Sequence, residues 1–398
     1  MKAGTSPGGS TPGSRSGLSS IKGSPRYSVE SVTSEQGLSK LQDDWNRLSA
    51  TAERPNVFMT FDWFRTWNQH FTQQSGGSRR PHVLVLKRDG VVRGISPLIQ
   101  RSSSRFGLVG RKLEFVGLEA DYNDFVLGSD REGQVSAIVN FLAETQEQWD
   151  VVEMRDLRET GDVLAAIEEA LSRARLIYKV VPEVERCPFL SIDRPWAAMV
   201  ERFSKDERHR FRNQQKQLDG LRSEGLRIRI IEDPQNEALL LDKMIALESQ
   251  KRVEGKLSVP FVGKYPEVFQ TLFDTLGPCG WIYVALMEWG DRPIAWLMGF
   301  RCGKLMWDFL GAYDHNYARL SPGTMLVPAL LDYGYSHGCN EYDFLRGEEP
   351  HKARWSTGVH QSYWLRIWSR TWTSRAHAFY HLDLKPALTR FRSDSAVG

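Results

Sequence analysis

Cysteine is scarce in this sequence. Cys187, Cys279, Cys302 and Cys339 are the only four, and none belongs to a CxxC pair. That spacing excludes a disulfide framework and the usual zinc motifs, and a reducing cytoplasm is the expected compartment. The histidines are equally scattered. There is no HExxH, and His209, His315, His337, His351 and His360 follow no metal-ligand spacing, so no metal is expected. No run of about 18 apolar residues is present to span a membrane, and the N-terminus MKAGTSPGGSTPGSRSG lacks the apolar segment of a secretory signal. GxGxxG, Walker A and GxSxG are also missing, which removes support for dinucleotide binding, nucleotide hydrolysis and serine hydrolysis. Nor does one sign of charge dominate. The 52 basic and 49 acidic residues leave a net charge of +3, which gives no reason to expect DNA as a partner.

What is present is enough for two cores. A chain of 398 residues with 41% hydrophobic and 11% aromatic content exceeds the roughly 250 to 300 residues at which one core stops growing. Residues 1–25 are Gly, Ser, Thr and Pro with a few Lys and Arg. They read as a disordered tail, because nothing in them offsets the entropy of ordering. After it, YSVESV predicts a strand and Leu38 to Leu48 a helix, and Thr60 can cap a helix over FDWFRTWNQHF. PHVLVLKRDGVVRGISPLIQ predicts a hairpin turning at Asp89-Gly90. Strands at KLEFVG and DFVLG, a helix from Glu132 to Gln148, strand DVVEM, a helix over Val163 to Ala174 and strand LIYKVV complete a first half, 26–188.

The second half, 189–371, repeats the order. Helices are predicted at Pro195 to Gly220, Asn236 to Val253 and Tyr265 to Leu276, then strands WIYVALME and PIAWLMGF around Gly290-Asp291. Strand KLMWDFLGAY, a helix opened by Ser321-Pro322-Gly323-Thr324, strand EYDFL, the polar run RGEEPHKARW and a last strand around SYWLRIW follow, and 372–398 reads as a helical tail. The echo of the two hairpins suggests a duplicated helix-then-meander unit.

The helix start at ARLSPGTMLVPALLDYGYSHG has chemical potential. Ser321 suits an N-cap, Pro322 the first helical position and Gly338 the stop. The free N–H groups there carry partial positive charge, Gly323 admits an oxygen, and Arg319 can add a charge-assisted bond. An ordinary capped helix is the simpler reading of this motif alone. Pro328 inside it predicts a kink or an early end.

NVFMTFDWFRTW, RLSPGT and DFLRGEEPHKARW together resemble the cellulose-biosynthesis acetyltransferase-like branch of the GNAT superfamily, a group related to the Fem-type peptidyl transferases. The resemblance covers most of Tyr27 to Trp368. It implies an α/β (α+β) protein of two tandem GNAT-like domains, each a mixed, largely antiparallel sheet flanked by helices. It also implies acetyl-CoA or another acyl-CoA as co-substrate, with the strand before Ser321 and the strand EYDFL splaying apart around the pantetheine arm. The pyrophosphate would rest at Leu320, Ser321, Gly323 and Thr324, beside Arg319. The arginine- or glutamine-led glycine-rich signature usual in GNAT proteins is reduced here to Arg319 and Gly323.

Acyl transfer to an amine needs a base to free the nitrogen lone pair and a proton donor for the departing thiolate. Asp308, set between Trp307 and Phe309, and Glu348 and Glu349 are the candidate bases. Tyr313 or Lys352 can give the proton. In SKDERHRFRNQQKQLDGLR, Ser204 and Glu207 form a capping box, and Arg208, Arg212 and Lys216 share one helical stripe. A solvated face is the plain reading of that stripe. An anionic acceptor such as a nucleotide-sugar, or tRNA as in the Fem relatives, is the functional one. The expected activity is transfer of an acyl group from acyl-CoA to an amine, and the resemblance implies a place in the assembly of an extracellular polysaccharide or cell-envelope precursor, with the acceptor itself left open. A non-catalytic partner of a polysaccharide-synthesis complex, or a Fem-like transferase using aminoacyl-tRNA, are the alternatives.

Overall fold

The computed structural model describes residues 27–52, 55–105, 108–116, 120–158, 162–183, 185–250, 252–253, 256–257, 261–347 and 349–384. The expected tail over 1–25, Glu348 and the end of the expected C-terminal tail lie outside them.

The chain first runs through β1 (Ser28–Val32), α1 (Glu35–Ser39), α2 (Gln42–Ala50), α3 (Phe61–Gln74), β2 (Arg79–Pro81), β3 (Val83–Arg88), β4 (Val91–Ser96), β5 (Leu98–Arg105), β6 (Leu108–Phe115), β7 (Val126–Leu127), α4 (Arg131–Glu144), β8 (Val151–Arg158), α5 (Asp162–Arg173) and β9 (Ile177–Pro182). It continues through β10 (Cys187–Ser191), α6 (Trp196–Met199), α7 (Lys205–Ser223), β11 (Leu226–Ile231), α8 (Leu240–Glu248), β12 (Arg252–Val253), β13 (Lys256–Leu257), α9 (Pro266–Leu276), β14 (Ile282–Trp289), β15 (Arg292–Cys302), β16 (Leu305–Tyr313), α10 (Pro322–Ser336), β17 (Glu341–Asp343), α11 (Pro350–Trp355), β18 (Gly358–His360), β19 (Ser362–Trp368) and α12 (Trp372–Phe379). The fold is mixed α/β, with mixed, largely antiparallel sheets flanked by helices.

Local chemistry sets many of these boundaries. Thr60 caps α3 by accepting from the Trp63 N–H, and Ser204 and Glu207 close the expected capping box on α7. Asp89 and Gly90 both take positive φ, as a two-residue hairpin demands, whereas at the second hairpin only Gly290 does. Three helices differ from expectation. Leu38 to Leu48 is split between α1 and α2, Pro195 to Gly220 breaks around a 3-10 turn at Val200–Arg202, and α8 starts only after Leu239, whose φ of 58 interrupts the helical path. Pro328 does not end α10, which runs on to Ser336 before Gly338 takes the left-handed conformation expected of a stop.

One strand–helix–strand unit recurs in the two halves, although among the described residues the first half has two sheets and the second a single seven-stranded one beside the short β12–β13 pair. β5 and β6 pair antiparallel, α4 crosses over, and β8 returns parallel to β6. Likewise β15 and β16 pair antiparallel, α10 crosses over, and β17 returns parallel to β16. Each unit takes in one further strand, from the second half in the first unit and from the junction of the halves in the second. β19 inserts between β8 and β9, and β10 inserts between β17 and β18. The strand SYWLRIW, expected to end the second half, therefore belongs to the first-half sheet. One face of the β14–β16 sheet packs on α8, α9 and the aromatic helix α3, and the other on α6, α7 and α10. A third core lies under α4 and α5. Among the described residues no helix is long and apolar enough to cross a membrane.

Candidate active site

The site forms where β16 and β17 part. They pair only over Leu305–Trp307 against Glu341–Asp343; beyond that β16 keeps β15 as its partner. A bulge marks the place, because Met298 faces Leu310 and Gly299 faces Asp308, leaving Phe309 as the extra residue. Phe309 joins Phe58, Trp63 and Phe300 in edge-on and tilted contacts at 5.1–6.0 Å, so α3 from the first half braces the bulge.

On the opposite face, Tyr283 donates its hydroxyl to the Trp307 carbonyl at 3.1 Å. Gly299 makes this possible, since a Cβ there would stand 2.1 Å from that carbonyl and 2.3 Å from the Tyr283 hydroxyl. The Tyr342 hydroxyl approaches Asp308 and Tyr283 without closing a hydrogen bond. Asp308 keeps some surface access, yet enough protein surrounds it that burial pushes its carboxyl up to about 6. Lys352 and Tyr342 pull it down, and Glu349 pushes it up. Lys352, nearly buried, donates to the Arg346 carbonyl at 2.5 Å and pairs with Glu349 at 3.1 Å.

Asp308, Glu349 and Lys352 thus come together, from a strand and from the start of α11. Tyr313 does not join them. It stands five residues farther along β16, roughly 16 Å at strand rise, exposed and stacked on His315 at 6.0 Å.

The helix start differs in detail from expectation. A 3-10 turn, His315–Leu320, separates β16 from α10, so the strand does not feed the helix directly. Ser321 sits at the N-cap position with φ 52 and ψ 56, and its side chain makes no capping bond. The left-handed backbone turns the hydroxyl away from the geometry a cap requires. A Cβ on Gly323 would meet nothing within 4 Å, and Arg319 is exposed in the 3-10 turn. The matching helix start in the first half is closed. Asp130 accepts from the Gly133 N–H at 3.2 Å, and a Cβ on Gly133 would stand 2.5 Å from its carboxylate. A carboxylate of the chain fills there the place an anion would take; at α10 that place is open.

The stripe on α7 lies elsewhere. Arg208 donates to the carbonyls of Glu201 and Phe203 at 3.1 and 3.2 Å, Arg212 pairs with Glu201 at 2.9 Å, and Lys216 is exposed.

Next to the parting strands lies a buried polar network that joins the halves. Tyr122 donates to Asp343 at 2.6 Å, and the Leu345 N–H donates to the same carboxyl at 2.8 Å. Burial pushes Asp343 up to about 7, while Tyr122, His360 and Arg158 pull it down. Arg346 pairs with Asp121 and, at 3.1 Å, with Asp156, whose carboxyl burial also raises to about 7. Glu341, Asp343 and His360 have ligand atoms within 4.8 Å of one another, a grouping able to hold a metal ion. Those atoms are engaged already: His360 and Glu341 meet at 2.8 Å, and Asp343 serves Tyr122 and Leu345. None of these residues is singled out by the sequence. Asp343 interrupts the apolar strand EYDFL just as Asp308 interrupts its own, and that signal could have found it. Tyr122 and Asp121 sit in a loop with no pattern.

Residues 205–353 match the sequence profile of an acetyltransferase (GNAT) domain. No curated protein matches the chain. Among solved structures it is similar to FemX, with a TM-score of 0.56 and 11% identity over 81% of this chain and 95% of that one. It is also similar to a conserved protein of unknown function from Bacteroides thetaiotaomicron, with a TM-score of 0.50 and 9% identity over 85% and 100%. At such identities the likeness is one of fold. The part of this chain that holds the parted strands and the open helix start is thus the part that matches the acetyltransferase (GNAT) profile, and it is set in a fold similar to that of FemX.

Proposed function

We propose that this chain is an N-acyltransferase that moves an acetyl or other acyl group from acyl-CoA to an amine. The observation that carries the reading is the open start of α10 beside the parting of β16 and β17, against the self-capped start of α4. The donor's pyrophosphate would be held by the N–H groups of Gly323 and Thr324, with Leu320 and Ser321 alongside and Arg319 adding a screened charge.

We assign the base to Asp308 ahead of Glu348 and Glu349, because with a carboxyl at about 6 it is ionised at neutral pH and still able to take a proton. The acid is Lys352 ahead of Tyr313, since Lys352 lies in the Asp308 cluster. The amine lone pair attacks the thioester carbonyl carbon and the carbon–sulfur bond breaks. The amine's proton passes to Asp308, and Lys352 supplies one to the departing sulfur. The acceptor is an amine-bearing sugar or envelope precursor of extracellular polysaccharide assembly, as the family resemblance implies, and the work is done in the cytoplasm where acyl-CoA is made. Arg212 and Lys216 are the proposed acceptor contacts on α7, with Arg208 holding their helix in place. The FemX fold favours a second reading, transfer from aminoacyl-tRNA.

Calorimetric titration with acetyl-CoA tests the donor assignment. Gly323→Val, in open space, is expected to leave the fold intact and weaken binding at least about tenfold, or about 1.4 kcal/mol. Arg319→Ala is expected to cost less, about 1 kcal/mol or below. Undiminished binding by the valine protein would move the donor site elsewhere, and binding of aminoacyl-tRNA in its place would favour the second reading.

A further inference from the structure

Among the described residues, the aromatic side chains most open to water are gathered on one short element. Trp372, Phe379 and Tyr380 are 68%, 60% and 46% exposed, and all three belong to α12 or the turn that follows it. The helix is not loosely attached. Thr371 caps it through the Ser374 N–H, Thr371 and Thr373 both donate to Asp150 at 2.9 Å, and the Trp368 indole donates to His377 at 2.9 Å. Ser374, Ala378 and Leu382 follow one another at four-residue spacing toward Val151 and Trp368. Trp372 and Phe379, seven apart, share the opposite stripe, with Arg375 beside them. Firm anchoring on one face thus holds two large rings out in water on the other.

The surroundings are basic. Trp368 pairs with Ile177, so the start of β9 lies beside the strand end from which α12 departs, and Ile177 is itself 44% exposed. The segment 173–179 carries Arg173, Arg175 and Lys179 and no acid; 370–384 carries Arg370 and Arg375 against Asp383. The other acids nearby are matched by cations or set apart: Asp150 pairs with Arg111 at 3.4 Å, Glu153 with Lys112 and Arg366 at 2.7 Å, Glu169 with Arg173 at 2.6 Å, and Glu147 is next to the Gln146 that accepts from the Arg370 N–H. Lys385, Arg390 and Arg392 follow in the sequence.

We infer that this face, the outer stripe of α12 with the start of β9, docks the protein peripherally on an anionic lipid bilayer. Trp, Tyr and Phe rings flanked by Arg and Lys on a short helix lying flat match the interfacial region of a membrane, where rings sit at headgroup depth and cations meet lipid phosphates. A second copy of the chain is disfavoured, because a two-fold contact would set the same excess of cations against itself. The inference does not rest on acyl transfer, and its test reads binding alone.

The experiment is co-sedimentation of the full chain with phosphatidylcholine vesicles, with and without phosphatidylglycerol, at two salt concentrations. Binding is expected on the anionic vesicles, at least about tenfold weaker on neutral ones, and reduced by salt. The double variant Trp372→Ala, Phe379→Ala is expected to lose at least about tenfold in vesicle binding with its melting temperature unchanged, because both rings point to water. Arg370→Glu with Arg375→Glu should weaken binding to anionic vesicles and leave the neutral ones unaffected. Three results would overturn the inference: no binding by the full chain; equal binding by the aromatic variant; or a dimer in sedimentation equilibrium that the aromatic variant abolishes while vesicles are ignored. Vesicle binding that appears only after removal of residues 385–398 would also overturn it, by assigning the face to the chain's own end.

Discussion

Asp308 is the base in the proposed reaction, and two features of its surroundings set its strength. Burial raises its carboxyl to about 6, and the Lys352 cation keeps it from rising further. A base of that strength is protonated and idle below about 6 and competent above it. The rate at limiting substrate is therefore expected to fall about tenfold per pH unit on the acid side. Asp308→Asn should lower kcat by roughly two to four orders of magnitude, leave the acyl-CoA KM near its original value and abolish the acid limb. Full activity in the asparagine protein, or an acid limb that survives, would transfer the role to Glu348 or Glu349.

Elements fix where that residue stands. The bulge at Phe309 holds Asp308 opposite Gly299 and lets Tyr283 reach the Trp307 carbonyl from β14, across β15. That geometry has no room for a methyl group at position 299. Gly299→Ala is expected to push Tyr283 off its carbonyl and cost about 1–3 kcal/mol, the range found for overpacked cores. Urea unfolding measures it, and a change within about 0.5 kcal/mol would mean that the bulge relaxes freely. Helix α10 shows the converse economy. Its left-handed Ser321 gives up a side-chain cap and so leaves the first N–H groups open, whereas α4 spends an aspartate on the same position.

At the scale of the molecule, β19 from the second half completes the sheet of the first. Residues 27–183 made alone would lack β19, leaving β8 and β9 as two open edges and removing Leu365 and Ile367 from the core under α4 and α5. They are expected to be insoluble or to unfold without cooperativity, and to recover when 185–384 is supplied. Soluble, cooperatively unfolding material from residues 27–183 alone would show that β19 is dispensable.

The joint also carries a pH signature. In the unfolded chain Asp343 titrates near its ordinary 3.8, and in the folded protein at about 7. The folded state therefore holds the proton more tightly, and stability from this group is full below about 4 and lost as pH rises to about 7. Each pH unit between costs about 1.4 kcal/mol. Asp343→Asn removes that slope. Its stability relative to the parent should rise between about pH 4 and about pH 7 in urea titrations, and a constant difference would show the carboxyl to be ionised throughout.

Much of this was legible in the sequence because it depends on near neighbours. The Thr60 cap, the Ser204–Glu207 box, the hairpin at Asp89-Gly90, the glycine stop at Gly338 and the alternation of strands and helices each follow from residues a few positions apart, and they lead to a mixed α/β protein without reference to the rest of the chain. Asp308 was visible as a polar interruption of an apolar strand, and Lys352 as part of a charged run between two strands. Only the tertiary structure decided that they meet, that Tyr313 stands apart, and that Tyr122 and Arg346 tie Asp343, Asp121 and Asp156 across some 190 to 225 residues. It alone decided that SYWLRIW closes the first sheet rather than the second. A strand's pattern records that one face is buried and the other is not; the edge it pairs with is chosen by long-range packing, for which the local sequence carries no mark.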